Sequence, residues 1–138
     1  MSVRLQDMLK WLVSVVSAPQ GFASVPCDRR GHAIDIRAIA PIIDRVVERW
    51  HPLQVWLFGS RARGDAGRDS DWDLLAIVQD CPEPADFDDP MIVWRVKRQP
   101  EVPSDLVVYR ASDFAADRSV PNTLAYSTKL DGVLVYER

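Results

Sequence analysis

Two short apolar runs, "QVWLFG" at 54–59 and "WDLLAIVQD" at 72–80, lie only twelve residues apart, and seven charges fall in the thirteen positions from 61 to 73. Arg61, Arg63 and Arg68 stand among Asp65, Asp69, Asp71 and Asp73. Runs that are short, rich in β-branched and aromatic residues, and closed by glycine read as buried strands. A surface turn between two such strands does not need so many charges. The question the sequence poses is what this stretch holds.

The remaining segments alternate between helical and strand-like periods. In "IDIRAIAPIIDRVVERW", Ile36, Ile39, Ile43, Val46, Val47 and Trp50 recur at helical spacing, and Pro41 suits a first turn or a kink. "HPL" ends that helix, because a residue before proline leaves the helical region. "MIVWRVKRQ", 91–99, is a short helix with Pro90 in its first turn and Asp89 as cap. "SDLVVYR", 104–110, is a third strand, Ser112 or Asp113 caps a short helix, "PNTLAYSTKL" forms the last helix, and "GVLVYER" closes the chain as a strand. Helices between strands predict an α/β (α+β) fold, a mixed sheet of about four strands flanked by helices.

Upstream, "SAPQGFASVPCDRRGH" at 17–32 is loop-like, with two prolines and two glycines. Before it, Met8, Leu9, Trp11, Leu12, Val15 and Val16 fall on one stripe, which predicts an amphipathic helix. The uninterrupted run from Trp11 to Val16 is too short to span a bilayer. That helix either packs on its own domain or docks a partner. The predicted organisation is therefore an extension over 1–33 and one domain over 34–138, in a cytoplasmic protein without a membrane anchor.

With 138 residues, 47% of them hydrophobic, the chain can bury a single core without covalent staples. Its net charge of −3 argues against a nucleic-acid partner bound through the phosphate backbone. Cys27 and Cys81 are far apart and no histidines cluster with them, so they suggest neither a zinc site nor a disulfide framework.

Asp71 and Asp73 are two residues apart at the mouth of a strand, so both side chains lie on one face and Trp72 points to the other. Two carboxylates on one face repel unless a cation compensates, and hard oxygen donors suit magnesium or manganese. If the strand that Asp105 enters neighbours the Asp73 strand, a third carboxylate joins the group. Three carboxylates can hold two metal ions about 4 Å apart, the arrangement used in phosphoryl transfer. The plainer alternative is that Asp71 caps a turn and Asp105 merely begins a strand. Gly59 and Ser60 follow the first strand directly, where backbone and hydroxyl can approach phosphate oxygens. The lysine of a Walker loop and the GxGxxG of a dinucleotide fold are both missing.

Taken together, Gly59-Ser60, ten intervening residues and Asp71-x-Asp73 between two apolar strands resemble the signature of the DNA polymerase β-like nucleotidyltransferase superfamily. "LFGSRARGDAGRDSDWDLLAIV" is similar in particular to the minimal nucleotidyltransferases, and the resemblance runs from about Ile36 to the C-terminus, through "SDLVVY" and "LDGVLVYE". It implies that Asp71 and Asp73 bind Mg²⁺ or Mn²⁺. Asp105 would complete the metal site and help deprotonate an attacking hydroxyl. Gly59 and Ser60 would hold the β- and γ-phosphates of an NTP, with Arg61 and Arg63 as phosphate clamps. For the two arginines the alternative is a salt bridge to Asp65 or Asp69, and for Arg68 that alternative is the expectation.

The resemblance further implies an antitoxin that moves AMP from ATP to a tyrosine of a HEPN-domain toxin, within a homo- or hetero-oligomer. A contact-only antitoxin and a small-molecule, aminoglycoside-type nucleotidyltransferase are the competing readings. Other notable side chains take ordinary roles: His51 a helix-end dipole partner, Trp50, Trp56, Trp72 and Trp94 core, "WRVKR" a solvated helix face. His32 has no visible partner, and Lys129 sits on the last helix.

Overall fold

The computed structural model describes residues 25–98 and 102–138. The amphipathic stripe from Met8 to Val16 lies outside the described residues. A 3-10 turn over Ile36–Ala38 is capped by Asp35, whose side chain accepts from the Arg37 N–H. Helix α1, Ala40–Trp50, follows with a proline in its first turn, where the missing N–H costs nothing. It ends on His51 in the left-handed conformation (φ 47°), with the His51 N–H donating to Val47 O. Pro52 then prevents any continuation.

Four strands form one mixed sheet: β1 (Gln54–Phe58), β2 (Trp72–Val78), β3 (Ser104–Arg110) and β4 (Val133–Glu137), in the spatial order β3-β2-β1-β4. β1 runs antiparallel to both β2 and β4, whereas β2 and β3 are parallel and joined by helix α3, Pro90–Lys97. A parallel pair requires such a crossover, and a short helix supplies it. Four-residue helix α2, Ser60–Arg63, fills part of the charged stretch, and α4 (Ala111–Asp117) and α5 (Leu124–Asp131) connect β3 to β4.

Strand alternation divides the sheet into two unlike faces. Leu74, Ala76 and Val78 of β2 join Val55 and Leu57 of β1, Leu106 of β3 and Val135 of β4 under α1, whose Ile42, Ile43 and Val46 are fully buried. Phe58, Leu75 and Ile77 face the other way, against Tyr109 and Phe114. That second face also carries Asp73 and Asp105, by the same parity.

Some local expectations change. Helix α4 begins at Ala111 with Arg110 at its cap and no capping side-chain bond of its own. Neither Ser112 nor Asp113 caps it. The Ser112 N–H is taken instead by Asp80 Oδ1 at 2.9 Å, from the loop after β2, and Asp113 pairs with Arg110. A carboxylate supplied from 32 positions away leaves no local pattern. The last helix is capped by Thr123, which accepts from the Tyr126 N–H. Trp50 and Trp72 are core as expected, and Trp56 is half-buried, but Trp94 is exposed, on the side of α3 beside β3.

Candidate active site

The site is built at one end of the sheet, where β1 finishes and β2 and β3 begin. Antiparallel pairing sets Phe58 opposite Asp73, so the chain leaves β1 beside that carboxylate. Gly59 makes the turn at φ 76° and ψ −157°, a region that is nearly glycine-only. Glycine is needed there twice over. A Cβ on Gly59 would stand 2.2 Å from Asp73 Oδ2. Ser60 then opens α2, with Ala62 and Arg63 N–H both donating to Gly59 O. The helix stops at Gly64, whose φ of 92° lets its N–H return to Ser60 O.

Residues ahead of α1 brace this turn from outside. The Arg29 N–H donates to Ala62 O at 2.9 Å, and the Arg29 guanidinium reaches Leu130 O and Gly132 O near the end of the chain. Asp28 organises its own loop by accepting from the Arg30 and His32 N–H groups, and His32 Nδ1 lies 3.7 Å from its Oδ2.

Within the charged stretch the arginines divide. Arg61 turns inward, donating to Ser70 O and Arg68 O and stacking 4.2 Å above the Trp72 ring. It thereby holds the 68–70 turn against the base of β2. Arg63 pairs with Asp65 at 3.2 Å, and its charge also reaches Asp73. Among the described residues Arg68 makes no salt bridge, contrary to expectation; its carbonyl, accepting from Arg61, is what the fold uses.

Parallel pairing of β2 with β3 places Asp105 directly across from Asp73. Asp71 stands exposed just ahead of β2, and among the described residues it accepts no hydrogen bond that would make it a turn cap. Partial burial pushes the Asp73 carboxyl above the ordinary range, and the charges of Asp105 and Asp71 push it further, against the opposing pull of Arg63. The three carboxylates therefore act on one another electrostatically. Among the described residues, however, no three acidic, histidine or cysteine side chains converge into a ready-made metal cage. Lys97, at the end of α3, stands beside the third carboxylate. Its Nζ lies 3.3 Å from Asp105 Oδ1 and 2.9 Å from Ser104 O.

The local sequence around Lys97, "WRVKR", reads as a solvated helix face and gives no sign of this contact. The usable signal is topological: in a β-α-β crossover the end of the helix returns to the start of the next strand. Lys97 precedes Asp105 by eight positions across that return. His51 sits at the end of α1, Lys129 is exposed on α5, and Cys27 and Cys81 are both exposed free thiols.

A cation fits this donor set. Asp71 and Asp73 offer hard oxygen ligands at one end of the sheet, and the neighbouring charges of Asp105 and Asp71 add to burial in raising the Asp73 carboxyl.

With this geometry in place, the relatives can be compared. A family model for the nucleotidyltransferase domain matches residues 39–129, from the start of α1 to within α5. The chain belongs to that family. A crystal structure from Sulfolobus solfataricus, provisionally assigned as a nucleotidyltransferase, is 31% identical, with 70% of this chain and 75% of that one covered and a TM-score of 0.49. A toxin-antitoxin with AMP-PNP is 23% identical over 71% and 72% of the two chains, at a TM-score of 0.50. A mutant of the toxin-antitoxin MntA-HpeT is 17% identical over 76% and 75%, at 0.51. At those identities the last two show a shared fold. No curated protein matches the chain. Among the described residues, no helix is long and apolar enough to cross a membrane.

Proposed function

We propose that this chain transfers a nucleoside monophosphate, AMP from ATP, to a hydroxyl of a protein partner, and that the partner is a HEPN-type toxin modified on tyrosine. The observation that carries the reading is the pairing of Asp73 with Asp105 across two parallel strands, with Asp71 and the Gly59-Ser60 turn at the same end of the sheet. Family membership supports the reaction class. The fold shared with two toxin-antitoxin proteins, one of them with AMP-PNP, supports the partner and the nucleotide.

In this reading the acceptor oxygen attacks the α-phosphorus of ATP, forming one P–O bond while the bond to pyrophosphate breaks. The hydroxyl proton passes to Asp105, which stands beside Asp73 on the open face. Asp71 and Asp73 would hold Mg²⁺ or Mn²⁺, which supplies neutralisation of the phosphate charge. Gly59 and Ser60 bring backbone and hydroxyl to the leaving phosphates, and Arg63 adds a cation on their side. Arg61 serves them by fixing the 68–70 turn.

Intact mass of the protein encoded beside this one, after incubation with ATP and magnesium, tests the reading. It should gain one or more AMP units, and none with Asp73→Ala. A tight complex that blocks toxicity with no mass gain would establish a contact-only antitoxin instead.

A further inference from the structure

Among the described residues β3 lies at the edge of the sheet, with no strand paired to its outer side. Edge strands are ordinarily blunted by proline, by bulges or by inward charges, because open backbone groups invite pairing. "SDLVVYR" has no proline, and its register with β2 is unbroken over all seven residues.

One hydrogen bond fixes which groups are open. The Trp72 N–H donates to Pro103 O, and Trp72 is paired with Ser104. In a parallel ladder, residues 105, 107 and 109 then turn their backbone groups towards β2, and Ser104, Leu106 and Val108 turn theirs outward. Lys97 Nζ meets Ser104 O from that outer side, as this phase requires. The outward groups of Leu106 and Val108 have no partner among the described residues.

Beside this edge, α3 and β3 enclose an apolar groove of about 430 Å³, lined by Val93, Trp94, Lys97, Leu106 and Val108 among others. Trp94 on its helical side is 47% exposed, and Met91 on the same helix is 56% exposed. Tryptophan and methionine are enriched where surfaces meet partners. The groove is continuous with the carboxylate cluster, because Lys97 lines it and also pairs with Asp105. Lys97, and Arg98 stacked on Trp94, stand at the Asp105 end, and Asp88 stands at the other.

We infer that this edge and groove receive the acceptor segment of the partner, an extended peptide that adds to the sheet as a strand beside β3. The inference rests on the protein-acceptor reading given above. Side chains of an added strand alternate between the two faces. One set drops against Val93, Trp94 and Leu106, and the other lies on the face of Asp105 and Val107. The acceptor hydroxyl belongs to the second set, so the residues on either side of it should be apolar. A nearby carboxylate on the segment would meet Lys97 and Arg98, freeing Asp105 to accept the hydroxyl proton.

Val108→Pro tests the strand addition. It deletes an outward N–H and leaves the ladder to β2 intact, a position where an edge strand accepts proline. Trp94→Glu tests the groove from the helix side. Expected are transfer to the neighbour-encoded protein lowered about tenfold or more in both variants, with parent-level Mn²⁺-dependent ATP binding in each. In addition, a photoactivatable benzoylphenylalanine replacing Trp94 should cross-link to the partner segment that bears the new AMP. Parent-level transfer by both Val108→Pro and Trp94→Glu overturns the inference while leaving the function intact. So does a cross-link confined to residues 1–24 of the same chain, or to a second copy. A parent protein that transfers nothing to the partner overturns the function itself, and this inference with it.

Discussion

The two faces of the sheet are made by the same strands and are used for opposite purposes. Under α1 and α3, Leu74, Ala76 and Val78 of β2 are sealed into one continuous core with Val55, Leu57, Leu106 and Val135. On the other face, among the described residues, a smaller apolar cluster of Phe58, Leu75 and Ile77 packs against Tyr109 and Phe114. The near end of that face carries Asp73 and Asp105 beside Phe58, with Asp71 just ahead of β2. A strand that alternates core and carboxylate can tolerate like charges at close range only because its other face anchors it. The comparison teaches that stability and chemistry are separated by parity along β2: one step in sequence moves a substitution from one to the other.

Substitutions at neighbouring positions should therefore give opposite results. Leu74→Ala removes a fully buried side chain from the closed face and should cost roughly 2–5 kcal/mol of stability, read by denaturant unfolding. Nucleotide binding by the remaining folded protein should be unchanged. A stability loss below that range would mean the closed face is less tightly packed than its burial indicates. Gly59→Ala crosses the two regions, because its positive φ strains the turn and its new Cβ meets Asp73 Oδ2. It should cost roughly 1–3 kcal/mol in stability and weaken ATP binding together. Stability loss with unaltered binding would separate the turn from the site.

Ser60→Ala leaves the fold alone and should weaken triphosphate binding by about 1–2 kcal/mol, measured by calorimetry. Equal affinity in parent and variant would leave Ser60 a purely structural opening residue of α2. The smallest effect concerns pH. Because the Asp73 carboxyl is raised in the folded protein, the native state binds the proton more tightly than the unfolded chain does. Its charge therefore lowers stability as pH rises from the ordinary aspartate range through the raised value. Asp73→Asn should melt slightly higher than the parent at neutral pH, and the gain should vanish at acid pH below the unfolded value. A gain of the same size at both pH values would point to packing rather than charge.

Much of this was legible in the sequence because it was local. β1, β2 and β3 appear as short apolar runs ending in glycine or starting at or beside aspartate, and Asp89 and Pro90 mark the start of α3 although its β-branched residues speak against a helix. Asp71 and Asp73 share a face by spacing alone. The pairing of Asp105 with Asp73 needed the condition that their strands be neighbours, which the sheet order satisfies. What escaped was non-local. Asp80 caps α4 from another loop, Arg61 closes over Trp72 instead of pointing outward, and Lys97 reaches Asp105 only through the crossover. Trp94 reads as core because tryptophans usually are, and nothing in its own neighbourhood reveals that α3 has a second, open side.

The most direct test of the open face as a metal and nucleotide site is the Mn²⁺-dependent part of ATP binding in Asp71→Ala/Asp73→Ala. The parent should bind ATP more tightly with Mn²⁺ than without it. The double variant should lose that difference and melt no lower than the parent, since like charges have been removed from an end that packing does not depend on. An undiminished Mn²⁺ dependence in the folded double variant would contradict the assignment of those two carboxylates.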